Sequence, residues 1–413
     1  MSGIRRWFLL FGERPSALEW HTSSAGPTLD ALRKESDCVS SVIARFHERW
    51  LREWPLGLAV LTLILALVGK SWTTTALGRP ALLIALLLVI CGVILAAAIA
   101  MVRHAEILAH RLGEPLGTLL LTLTITGLEV AMVAFVMSTG VEKPTLARDT
   151  MFAVVMLVLN GFIGLTLLLG GLRFREQHYN LHSANAFLVM ILPLTVLGLI
   201  VPNYTRATLG PTLSTFQMVF LSLVSVGIYA VFLYVQNRRH RGFFVLPGEA
   251  VDTPDEMPSD PLSRSTLFHA TMLGLYSLPL VLLSKQMAAP LDAMVSRLGA
   301  PRALGGFVMA VLVLMPEAIA AIRATLANHL QRSVNILLGS VLASIGLTIP
   351  LVIAVSLITG RVLVLGLDPL DTAMLLLTLV TSTLTFSLPK TNVLLGCVHL
   401  LLFGSYFMLM FDR

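Results

Sequence analysis

Two stretches set a single acidic side chain deep inside an otherwise apolar run. In Gly117 to Thr139, GTLLLTLTITGLEVAMVAFVMST, it is Glu129; in residues 305–327, GGFVMAVLVLMPEAIAAIRATLA, it is Glu317. Each carboxylate lies about 12 residues into its run, ~18 Å along a helix and near the middle of a ~30 Å hydrocarbon core. A carboxylate at that depth costs a few kcal/mol or more unless it meets a partner or a polar cavity, so it is by default a functional hypothesis. Thr122 and Thr126 share the face of Glu129 at i, i+4, i+7 spacing. The structural alternative is a protonated Glu bonded to a neighbouring helix.

Two such carboxylates, ringed by hydroxyls, an amide and carbonyls, would form an oxygen site for a hard cation. Calcium takes about 6–8 oxygens, and two Glu neutralise its charge. Sodium or potassium could use the same oxygens with one carboxylate protonated. Desolvation and mutual repulsion favour protonating the pair, so protons and cations would compete for it. Competition for one site suffices for antiport, because an empty, doubly charged site is costly to carry between facing states.

Other runs offer further oxygens. Ser340, Ser344 and Thr348 stand at i, i+4, i+8 in 333–359, and Asn160 and Thr166 are the polar residues of 150–171, where Gly161 and Gly164 permit close approach. Such hydroxyls also back-bond to their own helix or join neighbours. The candidate cation- and proton-binding set is Glu129, Glu317, Thr126, Asn160, Ser340 and Ser344, with Glu129 and Glu317 as the metal ligands. Thr122, Thr348 and His399 are secondary candidates. His269, like His399, lies within a run and reads first as a packed, hydrogen-bonding histidine.

Positioning these residues requires membrane-spanning helices. A mean hydropathy of +0.84, with 56% hydrophobic and 13% charged residues, excludes an ordinary soluble domain. The apolar runs are continuous rather than alternating, which excludes a barrel. They fall at about 55–70, 80–102, 117–139, 150–171, 186–203, 214–236, 265–284, 305–327, 333–359, 371–388 and 391–411, eleven candidate spans in an all-α polytopic protein. Placing the N-terminus inside gives the inner segments 19 Lys and Arg against 10 outside, which favours a cytoplasmic N-terminus and an outer C-terminus. The net charge of +6 reads as helix flanks and loops rather than a nucleic-acid surface. Cys38, Cys91 and Cys397 are too scattered for a disulfide framework or a metal motif, and no signal peptide is expected.

Residues 1–54 are polar, with an expected amphipathic helix over Leu29 to Trp54 lying along the membrane surface. A first span and loop occupy 55–79. Asn237 to Arg264 (NRRHR followed by Glu249, Asp252, Asp255, Glu256 and Asp260) reads as a solvated cytoplasmic linker between halves, a cation-sensing role being the other reading. The halves, 80–236 and 265–413, echo each other. Glu129 aligns with Glu317 at an offset of 188, and Ile163-Gly-Leu-Thr166 with Ile345-Gly-Leu-Thr348 at 182. The third span runs outward and the eighth inward, so the expected plan is two inverted five-helix repeats after one extra helix, with the site at the midplane. Gly127 and Pro316, each preceding a Glu, could loosen the helix there and free carbonyls as ligands. Thr122 and Thr126 align with Ala310 and Leu314, so Glu129 brings its own hydroxyls whereas Glu317 is expected to borrow oxygens from the helix after it. Intramembrane enzymes find no support: there is no HExxH, no paired aspartate within spans and no Gly-x-Ser-x-Gly.

At these residues the chain resembles the calcium/cation antiporter superfamily, and within it the bacterial ChaA-type calcium/sodium:proton antiporters, relatives of the vacuolar cation/proton exchangers. The carrying segments are RLGEPLGTLLLTLTITGLEV (111–130), GFIGLTLLLGG (161–171), GFVMAVLVLMPEAIAAIRA (306–324), QRSVNILLGSVLASIGLTIP (331–350) and KTNVLLGCVHL (390–400). The resemblance implies that Glu129 and Glu317 are the carboxylates of the two α-repeats, with Gly339, Ser340 and Ser344 contributing from the second. It implies a bacterial inner-membrane transporter moving calcium, sodium or potassium against protons, with lipid as its surroundings and no resident cofactor. The alternative within the superfamily is sodium/calcium exchange without protons. Two departures stand out. No Gly-Asn precedes either Glu, and Val158 and Phe162 occupy the first-repeat positions of Ser340 and Ser344. Fewer side-chain oxygens make sodium or potassium a plausible main substrate.

Overall fold

The computed structural model describes residues 53–69, 77–113, 116–138, 144–208, 210–236, 244, 265–301 and 303–412. The expected N-terminal amphipathic helix and nearly all of the 237–264 linker lie outside them. The described chain is helical apart from one two-residue strand pair: α1 (Trp54–Val68), α2 (Pro80–Leu112), α3 (Leu116–Ser138), α4 (Leu146–Met156), α5 (Ile163–Phe174), α6 (Leu181–Leu199), α7 (Thr215–Tyr234), α8 (Thr266–Arg297), α9 (Ala303–Leu326), α10 (Leu330–Thr359), α11 (Pro369–Thr385) and α12 (Val393–Phe411). A π-helical segment, Leu157–Phe162, joins α4 to α5 without a break, so there are eleven continuous helices among the described residues, matching the eleven expected spans. Eight of them are long and apolar enough to cross a membrane.

Local chemistry sets the boundaries. Pro80 and Pro369 occupy first turns, where a missing N–H costs nothing. Ser214 and Gln217 form a capping box on α7, and Asn180, Ser265 and Asn392 cap α6, α8 and α12. Gly113 and Gly360, both at φ 66°, close α2 and α10 in the left-handed region. Two helices outrun their apolar signal: α2 continues from 102 to Leu112 through RHAEILAHRL, and α8 from 284 to Arg297. Charged residues end the hydropathy, not the backbone hydrogen bonding.

Every residue from Thr150 to Gly164 is buried, so the α4–α5 helix forms the centre with α10 beside it. Outward positions such as Leu88, Val189, Phe216, Leu223, Ile358 and Leu401 stay exposed and apolar, as a lipid-facing surface requires. Loops gather at two ends. At one, Gln177 pairs with Thr391 in the antiparallel strands, and its side chain reaches Thr325 and Asn328. At the other, Val364 bonds Pro144, and Leu367 bonds Leu199. α9 therefore ends at the Gln177 end. α3 ends at the opposite one, because the few residues joining it to Pro144 are too short to cross back. The two glutamate helices run in opposite directions.

Candidate cation and proton site

α10 packs against both α3 and α9, whose carboxylates lie within electrostatic reach of each other. Glu129 is 3% exposed, and the Ser344 hydroxyl on α10 lies 2.7 Å and 2.8 Å from its two oxygens, donating to one at a time. Glu317 is 8% exposed, and neither of its buried carboxylate oxygens has a hydrogen-bonding partner among the described residues. The charged groups that bear on Glu317 are Glu129 and Glu106, both acidic. A buried carboxylate left without donor or counter-charge is costly.

The remaining candidates distribute around this pair. Thr126 is buried one turn before Glu129. Thr348 is fully buried one turn beyond Ser344, and its hydroxyl too lacks a partner among the described residues. Ser340 is half-buried on the same helix. Thr122 lies on α3, but its side chain is outside the described set. Asn160 is placed differently: in the π segment, its amide donates to Thr378 at 2.8 Å and its oxygen stands 3.3 Å from His399 Nδ1. His399 Nε2 is 3.0 Å from Thr385 Oγ1, so Asn160 and His399 form a buried network joining α4–α5 to α11 and α12. Thr166 bonds back to Ile163. Gly164 and Gly396 let α5 and α12 meet backbone to backbone there; a Cβ on Gly396 would sit 2.5 Å from Leu168 N.

Two expectations need correction. The helices are not broken at Gly127 or Pro316: α3 and α9 run through both, and the irregular backbone lies instead at Leu157–Phe162. Neighbouring turns hold a single lost bond in place, whereas Asn160 and the packed glycines beside it favour a widened turn. Nor does Glu317 take the α10 serine: Ser344 serves Glu129, and Glu317 is the carboxylate left without a partner. The offset alignment pairs residues along the chain, but α10 lies between both glutamate helices and can face either. Sequence reasoning also passed over Glu106. It lies beyond the apolar run on α2, within electrostatic reach of Glu317 and of Arg332. Its one signal was a lone acid about one turn past the hydropathy edge.

The sodium/calcium exchanger protein family model matches residues 82–237 and 268–411. The chain belongs to this family, within the calcium/cation antiporter superfamily, and is a membrane transporter rather than an enzyme. It is 44% identical over 339 residues to the y4hA protein of Sinorhizobium fredii, covering 81% of this chain and 91% of that one. To the sodium-potassium/proton antiporter ChaA of Escherichia coli it is 38% identical over 363 residues, covering 87% and 96%. The solved structure of native YfkE superposes with a TM-score of 0.68 at 16% identity, covering 86% of this chain and 99% of that one, which shows the shared fold.

Proposed function

We propose that the protein is a secondary cation:proton antiporter that carries sodium, potassium or calcium against protons through one site between α3, α9 and α10. One observation carries this reading: two buried carboxylates sit on opposite-running helices, and among the described residues neither has a basic side chain bonded to it and no other residue's side chain bonds the Glu317 oxygens. Cation and protons alternate on Glu129 and Glu317, with the Ser344, Thr348 and Thr126 hydroxyls as further oxygens and Ser340 at the margin. Charge neutralisation by either occupant permits the switch between facing states, and the bare pair opposes it. The name of the Escherichia coli relative, a sodium-potassium/proton antiporter, supports the monovalent choice.

The helix packing supports two inverted repeats, α2–α7 and α8–α12, with α1 outside them. α3 lies on α10 as α9 lies on α4–α5, α7 lies on α10 as α12 lies on α5, and α2 packs on its own counterpart α8. In this reading the Gln177 end faces the cytoplasm of a bacterial inner membrane, and the C-terminus faces out.

Reconstitution tests it. Purified protein in proteoliposomes with an internal pH dye is challenged with Na⁺, K⁺ or Ca²⁺ in turn, and at least one cation is expected to drive proton movement. Cation-for-cation exchange with no proton flux would replace the reading with proton-independent exchange.

A further inference from the structure

At the Gln177 end, α1, α2 and α8 converge on a buried polar chain. Glu53, just before α1, is 4% exposed and accepts from three groups: His104 Nε2 at 3.0 Å, Tyr276 Oη at 2.9 Å and Arg103 at 3.2 Å. On its far side His104 Nδ1 lies 2.9 Å from His269 Nδ1, joining α2 to α8. Both rings are wholly buried, with Phe268 packed edge-on against them. Nothing in the transport reading uses these residues.

The Nδ1–Nδ1 distance fixes the proton count. At 2.9 Å it has hydrogen-bond length; a tetrahedral zinc bound by both nitrogens would hold them about 3.3 Å apart. One nitrogen donates and the other accepts, so a single proton lies between the rings. It lies there whether His104 is neutral and accepting, or charged and donating to both Glu53 and His269. Protonating both rings would set two N–H groups head to head, which breaks the bond. Among the described residues, the titratable or charged groups bonded to this chain are Glu53 at the start of α1, Arg103 on α2 and Tyr276 on α8. Glu106 on α2 lies within electrostatic reach of Arg332 and Glu317, and α9 contributes Arg323, which is exposed.

We propose that Glu53, His104 and His269 form a second, regulatory proton site that ties α1, α2 and α8 together and releases α2 from α8 on acidification. α2 and α8 each pack on both glutamate helices, so the tie sets how firmly the walls of the transport site are held. Histidine suits the task because each ring nitrogen can donate or accept, so one added proton changes the bond between the rings.

The test measures structure rather than transport. Spin labels are placed at the exposed positions His110→Cys on α2 and Ala270→Cys on α8, after replacing Cys38, Cys91 and Cys397. Their separation is read by pulsed electron paramagnetic resonance from about pH 8.5 to about pH 5.5. The otherwise wild-type protein is expected to lengthen by about 2–5 Å on acidification. The same response is expected when E129Q and E317Q are added, and no response when H269Q is added. A pH-independent separation in the wild-type background, a response kept in H269Q, or one lost with E129Q and E317Q overturns the proposal. The last outcome would assign the response to the transport glutamates and leave the antiport reading intact.

Discussion

Replacing Glu317 with Gln is expected to reduce proton-coupled cation flux about 100-fold or more, close to background, while the protein still inserts and folds. Gln keeps the shape and one carbonyl oxygen but carries no charge, so it can neither neutralise a cation nor exchange a proton. A loss of that size corresponds to roughly 3 kcal/mol. The fold should tolerate the change because the carboxylate makes no hydrogen bond to lose, and a neutral amide is cheaper to bury than a charge. Glu129→Gln should show the same flux defect and also fold, since Gln loses the charge but can still accept from Ser344. Proteoliposome flux, with size-exclusion behaviour and thermal unfolding in detergent, checks both. Wild-type flux from either variant would remove that glutamate from the mechanism.

The largest expected effect on stability lies elsewhere, at Gly396. A Cβ there would meet Leu168 N at 2.5 Å, Leu168 Cα at 2.8 Å and Gly164 O at 2.9 Å. All three are backbone atoms that cannot swing aside. Gly396→Val should force α5 and α12 apart, strain the His399–Asn160 contact one turn on, and cost about 2–3 kcal/mol. Gly404 on the same helix is the control, because a Cβ there has nothing within 4 Å. Thermal unfolding in detergent should place the Gly396 variant clearly below wild type and Gly404→Val near it. Equal stabilities would mean that the two helices do not pack through these glycines.

The helices and the acidic pair were legible because burial in lipid leaves a strong signal. Long apolar runs must form helices to satisfy their backbones, and a lone carboxylate stands out against them. What the chain could not reveal were pairings across the fold. Asn160 looked like a ligand on its own helix, but its amide is satisfied by Thr378, 218 residues away. The helix after Glu317 looked like the source of its oxygens, yet Ser344 on that helix bonds Glu129. His104 fell past the edge of an apolar run that the helix itself ignores, so its pairing with His269 had no local trace. Gly127 and Pro316 carried real local preferences, which the packed neighbours of α3 and α9 overrode.

The central claim is that cation and protons share one site. The direct measurement is equilibrium binding of the radiolabelled transported cation to purified protein across pH. Where the glutamates exchange protons, log Kd should fall by about 1 to 2 for each unit rise in pH, because each bound cation displaces one or two protons. In E129Q/E317Q protein, binding should vanish. A cation affinity independent of pH would contradict the shared site.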